Sequence, residues 1–270
     1  MPEGPEIRRA ADEIEKVLRD EALQSTYFAF EHLKHYEAAL TSQGVSRVET
    51  RGKAILIRFQ GELNVYTHNQ LYGRWVVCQS GKIPESKRQL RLAFHTAKKS
   101  ALLYSASDIE VLKDDELEQH VFLSRLGPDV LTCNLEQVLE QLISGRFQGR
   151  QLKSLYLDQH FLAGVGNYLR SEILFEAGLN PARRPLDCSE SQLALLAKKS
   201  LEIPQRSYRL QGITCDPSLS RQLKREGQQY RQYRHWVFSR AGQPCRKCQT
   251  AIVKETANRR YYYCPSCQAA

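Results

Sequence analysis

The chain has 270 residues, with 39 Lys and Arg against 30 Asp and Glu and a formal net charge of +9. That length supports two domains, or two and a small metal module, and buries a sizeable core without disulfide staples. The cationic excess favours a polyanionic partner, nucleic acid before a membrane surface, and no window approaches the apolar length that crosses a bilayer.

The chain opens Met1-Pro2-Glu3-Gly4-Pro5-Glu6. A residue as small as Pro2 favours removal of Met1, which leaves a secondary amine beside the Glu3 carboxylate. A free α-amine ordinarily titrates near pH 8, so a good fraction of it is neutral and nucleophilic under physiological conditions. Attack by a secondary amine on a sugar aldehyde carbon gives an iminium that cannot lose its charge through an N–H proton. Read alone, the same start suits a chain in which Pro2 only sets the processing of Met1 and Pro5 begins a helix. The N-terminus lacks a cationic start followed by an apolar core, so a soluble cytoplasmic protein is expected.

Residues 5–18 place Ile7, Ala10, Ala11, Ile14, Val17 and Leu18 at helical spacing, with Pro5 in the first turn. From about Ser25 to Leu112 the pattern changes to short β-like runs, such as Ala54–Phe59, Leu63–Tyr66, Trp75–Val77 and Leu90–Phe94. Gln60-Gly61 and Ser80-Gly81 are the turn signals between them. This reads as an antiparallel sandwich or barrel. Arg51-Gly52-Lys53 sets Lys53 at a strand entry after a tight turn, either gripping phosphate or simply solvated. His68-Asn69-Gln70-Leu71-Tyr72-Gly73 is either a loop tip that wedges into a duplex and fills the space of an extruded base or a hairpin whose Leu71 and Tyr72 join the core.

Leu126-Gly127-Pro128-Asp129 reads as a hinge between halves. Helices are expected at 135–144, 166–177 and 189–202, with Gly145, Gly178 and Pro204 at their ends. Closely spaced Gly164 and Gly166 at the second helix start read as a phosphate cradle, with Asn167 as a cap or a backbone contact. No nucleotide-type βαβ unit surrounds them, so no dinucleotide site is read there.

Cys245-x-x-Cys248 and Cys264-x-x-Cys267, fifteen residues apart, supply four thiolates for a closed tetrahedral site and imply one structural Zn2+. The segment between reads as a β-hairpin turning near Asn258, with Arg259 and Arg260 at its tip. Arg231, Arg234, Arg240, Arg246 and Lys247, interleaved with Tyr230, Tyr233 and Trp236, suit phosphate contact and base stacking, or form a solvated cationic surface. Cys78, Cys133, Cys188 and Cys215 stand singly and read as inert thiols.

In joint order and spacing, the Pro2-Glu3 start, Glu6, Arg51-Gly52-Lys53, Gly164-Val-Gly166-Asn167 and the four-cysteine terminus resemble the formamidopyrimidine-DNA glycosylase and endonuclease VIII family. The resemblance covers nearly the whole chain. Gly4 and Gln70-Leu71-Tyr72-Gly73 look like the bacterial endonuclease VIII branch, which prefers oxidised pyrimidines. The resemblance implies an α+β, multidomain protein. Residues 1–125 would be a catalytic helix-flanked β-sandwich, 126–225 a helix–two-turns–helix domain and 226–270 a β-hairpin zinc finger, with damaged double-stranded DNA in the cleft between the halves.

It also implies a bifunctional glycosylase and abasic-site lyase of base excision repair. Pro2 would attack C1′, Glu3 would act as general acid in opening the sugar, and Lys53 would assist β,δ-elimination. Asn167 and Arg259 would hold the phosphates flanking the lesion. Gln70, Leu71, Tyr72 and Arg125 would meet the DNA, with Glu6 in the charge network. The short loop between the cysteine pairs leaves Arg260 as the alternative to Arg259. Lys153 stands where purine-specific relatives carry a lysine. A purine-preferring relative acting on 8-oxoguanine or formamidopyrimidine, and a non-catalytic zinc-finger damage binder, are the rival readings. A monomer associated with the nucleoid when acting, with no membrane and no nucleotide cofactor, completes the expectation.

Overall fold

The computed structural model describes residues 2–256 and 259–269. Two compact units emerge, one of Pro2 and Glu6–Arg125, the other of Glu3–Pro5 and the chain from Leu126 onward.

In the first unit, helix α1 (Gly4–Leu18) is followed by β1 (Leu23–Phe28), the short helix α2 (Glu37–Thr41), and strands β2 (Val45–Arg51), β3 (Ala54–Phe59), β4 (Leu63–His68), β5 (Arg74–Gln79), β6 (Leu90–Thr96), β7 (Lys99–Tyr104) and β8 (Asp108–Lys113). They pair antiparallel into two four-stranded sheets, in the orders β1-β6-β7-β5 and β2-β3-β4-β8. One core joins both sheets to α1. Ile7, Ala11, Ile14, Val17 and Leu18 of the helix meet Phe28, Val48, Ile55, Ile57, Val65, Phe94 and Leu103.

Strand β3 shows why its sequence is almost wholly apolar. Alternate side chains of a strand point to opposite faces. Ile55, Ile57 and Phe59 enter the shared core, while Ala54 and Leu56 join a second cluster with Tyr66 and with Leu117 of α3 (Asp114–Gln119). Both faces are covered, so no residue of β3 except Arg58 is polar.

The second unit contains α4 (Leu135–Ile143), α5 (Leu152–Leu155), α6 (Asn167–Glu176), α7 (Glu190–Arg209), α8 (Pro217–Arg225) and α9 (Tyr230–Tyr233), then the hairpin β9 (Val253–Thr256) and β10 (Arg260–Tyr263). Asn134 and Ser189 cap α4 and α7 through reciprocal bonds with Gln137 and Gln192. Helix α6 is buried on all sides from Tyr168 to Phe175.

Two expectations change here. Pro204 does not end its helix: α7 continues five residues beyond it, to Arg209. Helix ends are set by capping and packing as well as by proline, and Ser200, Ile203 and Pro204 are buried against neighbouring helices. The segment 127–130, just after the boundary between the units at Arg125 and Leu126, is bonded within the second unit. Gly127 N–H donates to the Gln159 carbonyl at 2.9 Å, Ala163 N–H to Pro128 at 2.9 Å and Val130 N–H to Ala163 at 3.2 Å. A side chain at Gly127 would meet the His160 carbonyl at 2.4 Å, so the close approach requires glycine. Tyr233, Trp236 and Arg240 are buried and not surface groups. Trp236 packs with Phe175, Val237, Ile252 and Tyr262; Tyr230 stays exposed. The hairpin turn expected near Asn258 lies outside the described residues. Among the described residues no helix is long and apolar enough to cross a membrane.

Candidate functional site

Glu3 is held firmly within the second unit. Glu3 is 4% exposed, and its carboxylate accepts three backbone hydrogen bonds at the start of α6. Oε2 takes the N–H of Gly166 at 2.8 Å and of Leu169 at 3.1 Å, and Oε1 takes that of Tyr168 at 2.9 Å. The first amides of a helix lack intrahelical partners, and the helix dipole adds positive potential there, so an anion is held firmly. Gly4 N–H donates to the Gly164 carbonyl at 2.8 Å, where Gly164 adopts φ +93°. Pro2, half-buried, is peptide-bonded to this anchored residue. Met1 lies outside the described residues.

The Gly164–Gly166 segment is therefore not a phosphate cradle. The amides of Gly166, Tyr168 and Leu169 are bonded to Glu3, and that of Gly164 donates to Gln159 Oε1 at 3.1 Å. The anion that occupies the helix start belongs to the chain itself. A methyl group on Gly166 would stand 2.5 Å from Glu3 Cδ and Oε1. Gly166→Ala is accordingly expected to displace the carboxylate and to slow base removal on the order of 100-fold, with little change in DNA affinity. Single-turnover excision beside a binding titration checks this; an unaltered excision rate would show that the carboxylate position is not critical.

Asn167 is the first residue of α6, half-exposed, with Oδ1 3.4 Å from Arg170 Nη2. The N-cap is Gly166, so Asn167 is not the cap. Arg259 and Arg260 are both exposed where β10 begins. Lys153 is half-buried, with its ammonium 5.9 Å from the Tyr261 ring centre.

In the first unit, Lys53 follows Gly52, whose φ of +61° makes the tight turn between β2 and β3. It is half-buried, and its charge helps burial hold the His68 imidazole below its ordinary range, against the opposing pull of Asp108. The loop after β4 stands outside the core, against the reading in which Leu71 and Tyr72 join it. Leu71 is 61% and Tyr72 70% exposed. Gln70 sits at φ +47°, its N–H donates to His68 Nδ1 at 3.3 Å and its Oε1 accepts from the Ser107 hydroxyl at 2.8 Å. Arg88 donates to the Tyr72 carbonyl. Two bulky apolar tips are thus carried by a loop anchored at its base. Arg125 is exposed at the end of a 3-10 turn over Leu123–Arg125, and Glu6 pairs with Arg9 at 3.0 Å.

The four cysteines converge, with their sulfurs within 4.8 Å of one another. Cys245 and Cys267 sulfurs are 3.8 Å apart, Cys248 and Cys264 sulfurs 3.4 Å. Four sulfurs at the usual zinc–thiolate distance of about 2.3 Å stand about 3.8 Å from each other in a tetrahedron. Backbone N–H groups of Lys247 and Cys267 turn toward Cys245 and Cys264 sulfurs at 3.4 Å each, as in a metal knuckle. The residues fit a tetrahedral metal.

Sequence reasoning missed two charged groups of α6. Arg170 and Glu172 are both 0% exposed. Glu172 accepts the N–H groups of Trp236, Val237 and Phe238 at 2.8–2.9 Å and the Thr214 hydroxyl at 2.5 Å. Burial pushes its carboxyl up while these donors oppose that. The available signal was two opposite charges set two apart among Tyr168, Leu169, Ile173, Leu174 and Phe175 of the helix.

Comparison with known proteins agrees with this geometry. Residues 1–107 match the model of the formamidopyrimidine-DNA glycosylase N-terminal domain and residues 126–218 that of its H2TH domain. Proteins named Endonuclease 8 from Klebsiella pneumoniae and Shigella sonnei are 48% identical over 271 residues, covering 99% of this chain and 100% of each relative. The fold is also that of Lactococcus lactis Fpg, solved with DNA containing N7-benzyl-Fapy-dG and with DNA containing an oxidised pyrimidine. Each match covers 100% of both chains at a TM-score of 0.82 and 21% identity.

Proposed function

The chain belongs to the formamidopyrimidine-DNA glycosylase family and is a DNA glycosylase with abasic-site lyase activity; from that premise we propose that it excises oxidised pyrimidines from duplex DNA through a covalent Pro2 intermediate. The observation that carries this reading is the Glu3 carboxylate fixed by three amides at the start of α6. One peptide bond then ties the Pro2 nitrogen to an immobile acid–base group, the pairing that nucleophilic amine catalysis requires. The pyrimidine preference is supported by 48% identity to Endonuclease 8 against 21% to the Fpg structures, and by the Gln70-Leu71-Tyr72 loop tip.

With Met1 removed, the Pro2 nitrogen lone pair bonds to C1′ of the damaged nucleoside. The C1′–N bond to the base breaks, the base leaves with its electron pair, and Glu3 relays the proton that opens the sugar ring. The resulting iminium draws electrons from C2′. Loss of the C2′ proton forms a C2′–C3′ double bond and breaks the C3′–O bond, which cuts the strand on the 3′ side. A second elimination breaks the C5′–O bond and leaves a gap bounded by phosphates. Lys53 contacts phosphate and assists the eliminations, while Asn167 and Arg259 hold the flanking phosphates. Gln70, Leu71 and Tyr72 fill the space of the extruded base, Arg125 contacts the DNA, and Glu6 balances charge near the amine.

Cys245, Cys248, Cys264 and Cys267 would hold one Zn2+, which cross-links the hairpin and takes no part in bond making. We read residues 1–125 as the catalytic part, 126–225 as the helical DNA-binding part and 226–270 as the finger.

Duplex DNA with a single thymine glycol, incubated with protein confirmed by mass to lack Met1 and then reduced with sodium borohydride, should give a covalent adduct at Pro2. An adduct only with 8-oxoguanine would move the chain to the purine branch. No adduct with either lesion or with an abasic site would leave a damage binder that does not cut.

A further inference from the structure

We propose that Arg170 is a positioning residue for the finger: its buried guanidinium sets where the tip residue Arg259 stands relative to Asn167 and Glu3. The proposal rests on the reading of Asn167 and Arg259 as phosphate contacts.

Arg170 is fully buried on α6. Its Nη2 donates to the Arg260 carbonyl at 2.8 Å and the Arg259 carbonyl at 3.4 Å, and approaches Asn167 Oδ1 at 3.4 Å. Its Nη1 donates to the Lys153 carbonyl, and its guanidinium carbon lies 5.4 Å from the Tyr261 ring centre. One planar cation therefore joins the first turn of α6, the start of β10 and the backbone after α5 begins. It grips the hairpin by main-chain carbonyls, so it places the strand whatever side chains the tip carries. Glu3 sits on amides of the same first turn, which puts the anchored carboxylate, Asn167 and the hairpin on one rigid helix end.

Arginine suits this position because its donors form a fixed fork that serves several acceptors at once. Burial lowers its pKa to about 10, opposed by Glu3 and Tyr261, so it stays charged at neutral pH. A charge buried at this depth persists only where hydrogen bonds compensate it. Glu172, two residues on, holds the amides of residues 236–238. The helix thus fixes the finger at two separate places, and Arg170 is the one at the tip.

The test is a double-mutant cycle on single-turnover incision of an abasic duplex, with zinc content measured on each protein. Arg170→Met should keep its zinc and slow incision by about 100-fold, the effect of misplacing a contact by an ångström. In an Arg259→Ala background the same substitution should cost less than about 3-fold, because groups that act through one another are non-additive. Additive losses would mean that Arg170 only supports the fold, and would overturn the proposal. Should Arg170→Met lose its zinc, Arg170→Lys carries the same cycle: it keeps a charge but reaches fewer carbonyls, and the same non-additivity is required. Arg259→Ala with full activity would instead remove the phosphate-contact reading, and the positioning role with it.

Discussion

Glu3→Gln is expected to lower base removal by about 10²–10⁴-fold, the usual contribution of a positioned acid–base group, while a preformed abasic site is still cut. The substitution keeps the shape of the side chain and leaves the Pro2 amine in place. It changes one oxygen acceptor into an NH2 donor, while the amides of Gly166, Tyr168 and Leu169 that bond the carboxylate are N–H donors. With the amide oxygen toward Gly166 and Leu169, the Tyr168 amide is left unpaired; with the opposite orientation two amides are. One buried unpaired donor costs about 1–3 kcal/mol, so the better orientation should also lower the melting temperature measurably. Parallel assays on thymine glycol and abasic duplexes, with a thermal melt, read all three effects. Full excision by the Glu3→Gln protein would contradict the role given to this residue.

Cys245→Ser should yield a zinc-free protein whose affinity for damaged duplex falls by about 10–100-fold, the value of one lost charge-assisted contact of 1.5–3 kcal/mol. Strands β9 and β10 have only four residues each, and an isolated two-stranded hairpin is at best marginally stable. Cys245 and Cys264 also lie in the cluster formed by Phe175, Trp236, Val237, Ile252 and Tyr262. Loss of one ligand therefore removes the metal cross-link at the point where the finger packs on α6. Arg259, at the hairpin tip, loses its fixed position with it. Metal analysis and a binding titration at one stated salt concentration give the result. An unchanged affinity in metal-free protein would separate the finger from DNA binding. Arg170→Met, by contrast, should misplace the same tip with the metal retained, so the two variants distinguish loss of the module from loss of its alignment.

The sequence by itself determined whatever depends on neighbours within a few residues. Apolar spacing over 5–18 gave α1, and the largely apolar run 54–59 gave a strand, whose covering on both faces the fold supplied. Two Cys-x-x-Cys pairs gave the convergent thiolates, because ligand spacing is a local property. Tertiary structure alone decided the partners that lie far away along the chain. Glu3 bonds amides more than 160 residues distant, and no window of sequence contains both ends of such a bond. Burial of Tyr233, Trp236 and Arg240 within a stretch that reads as cationic surface, and the exposure of Leu71 and Tyr72, have the same origin. A side chain's surroundings are set by which elements pack on it, and that packing is a property of the whole fold. Arg170 and Glu172 were the least legible, since a buried charge is tolerated only where distant backbone groups compensate it, and those groups are brought together only when the chain has folded.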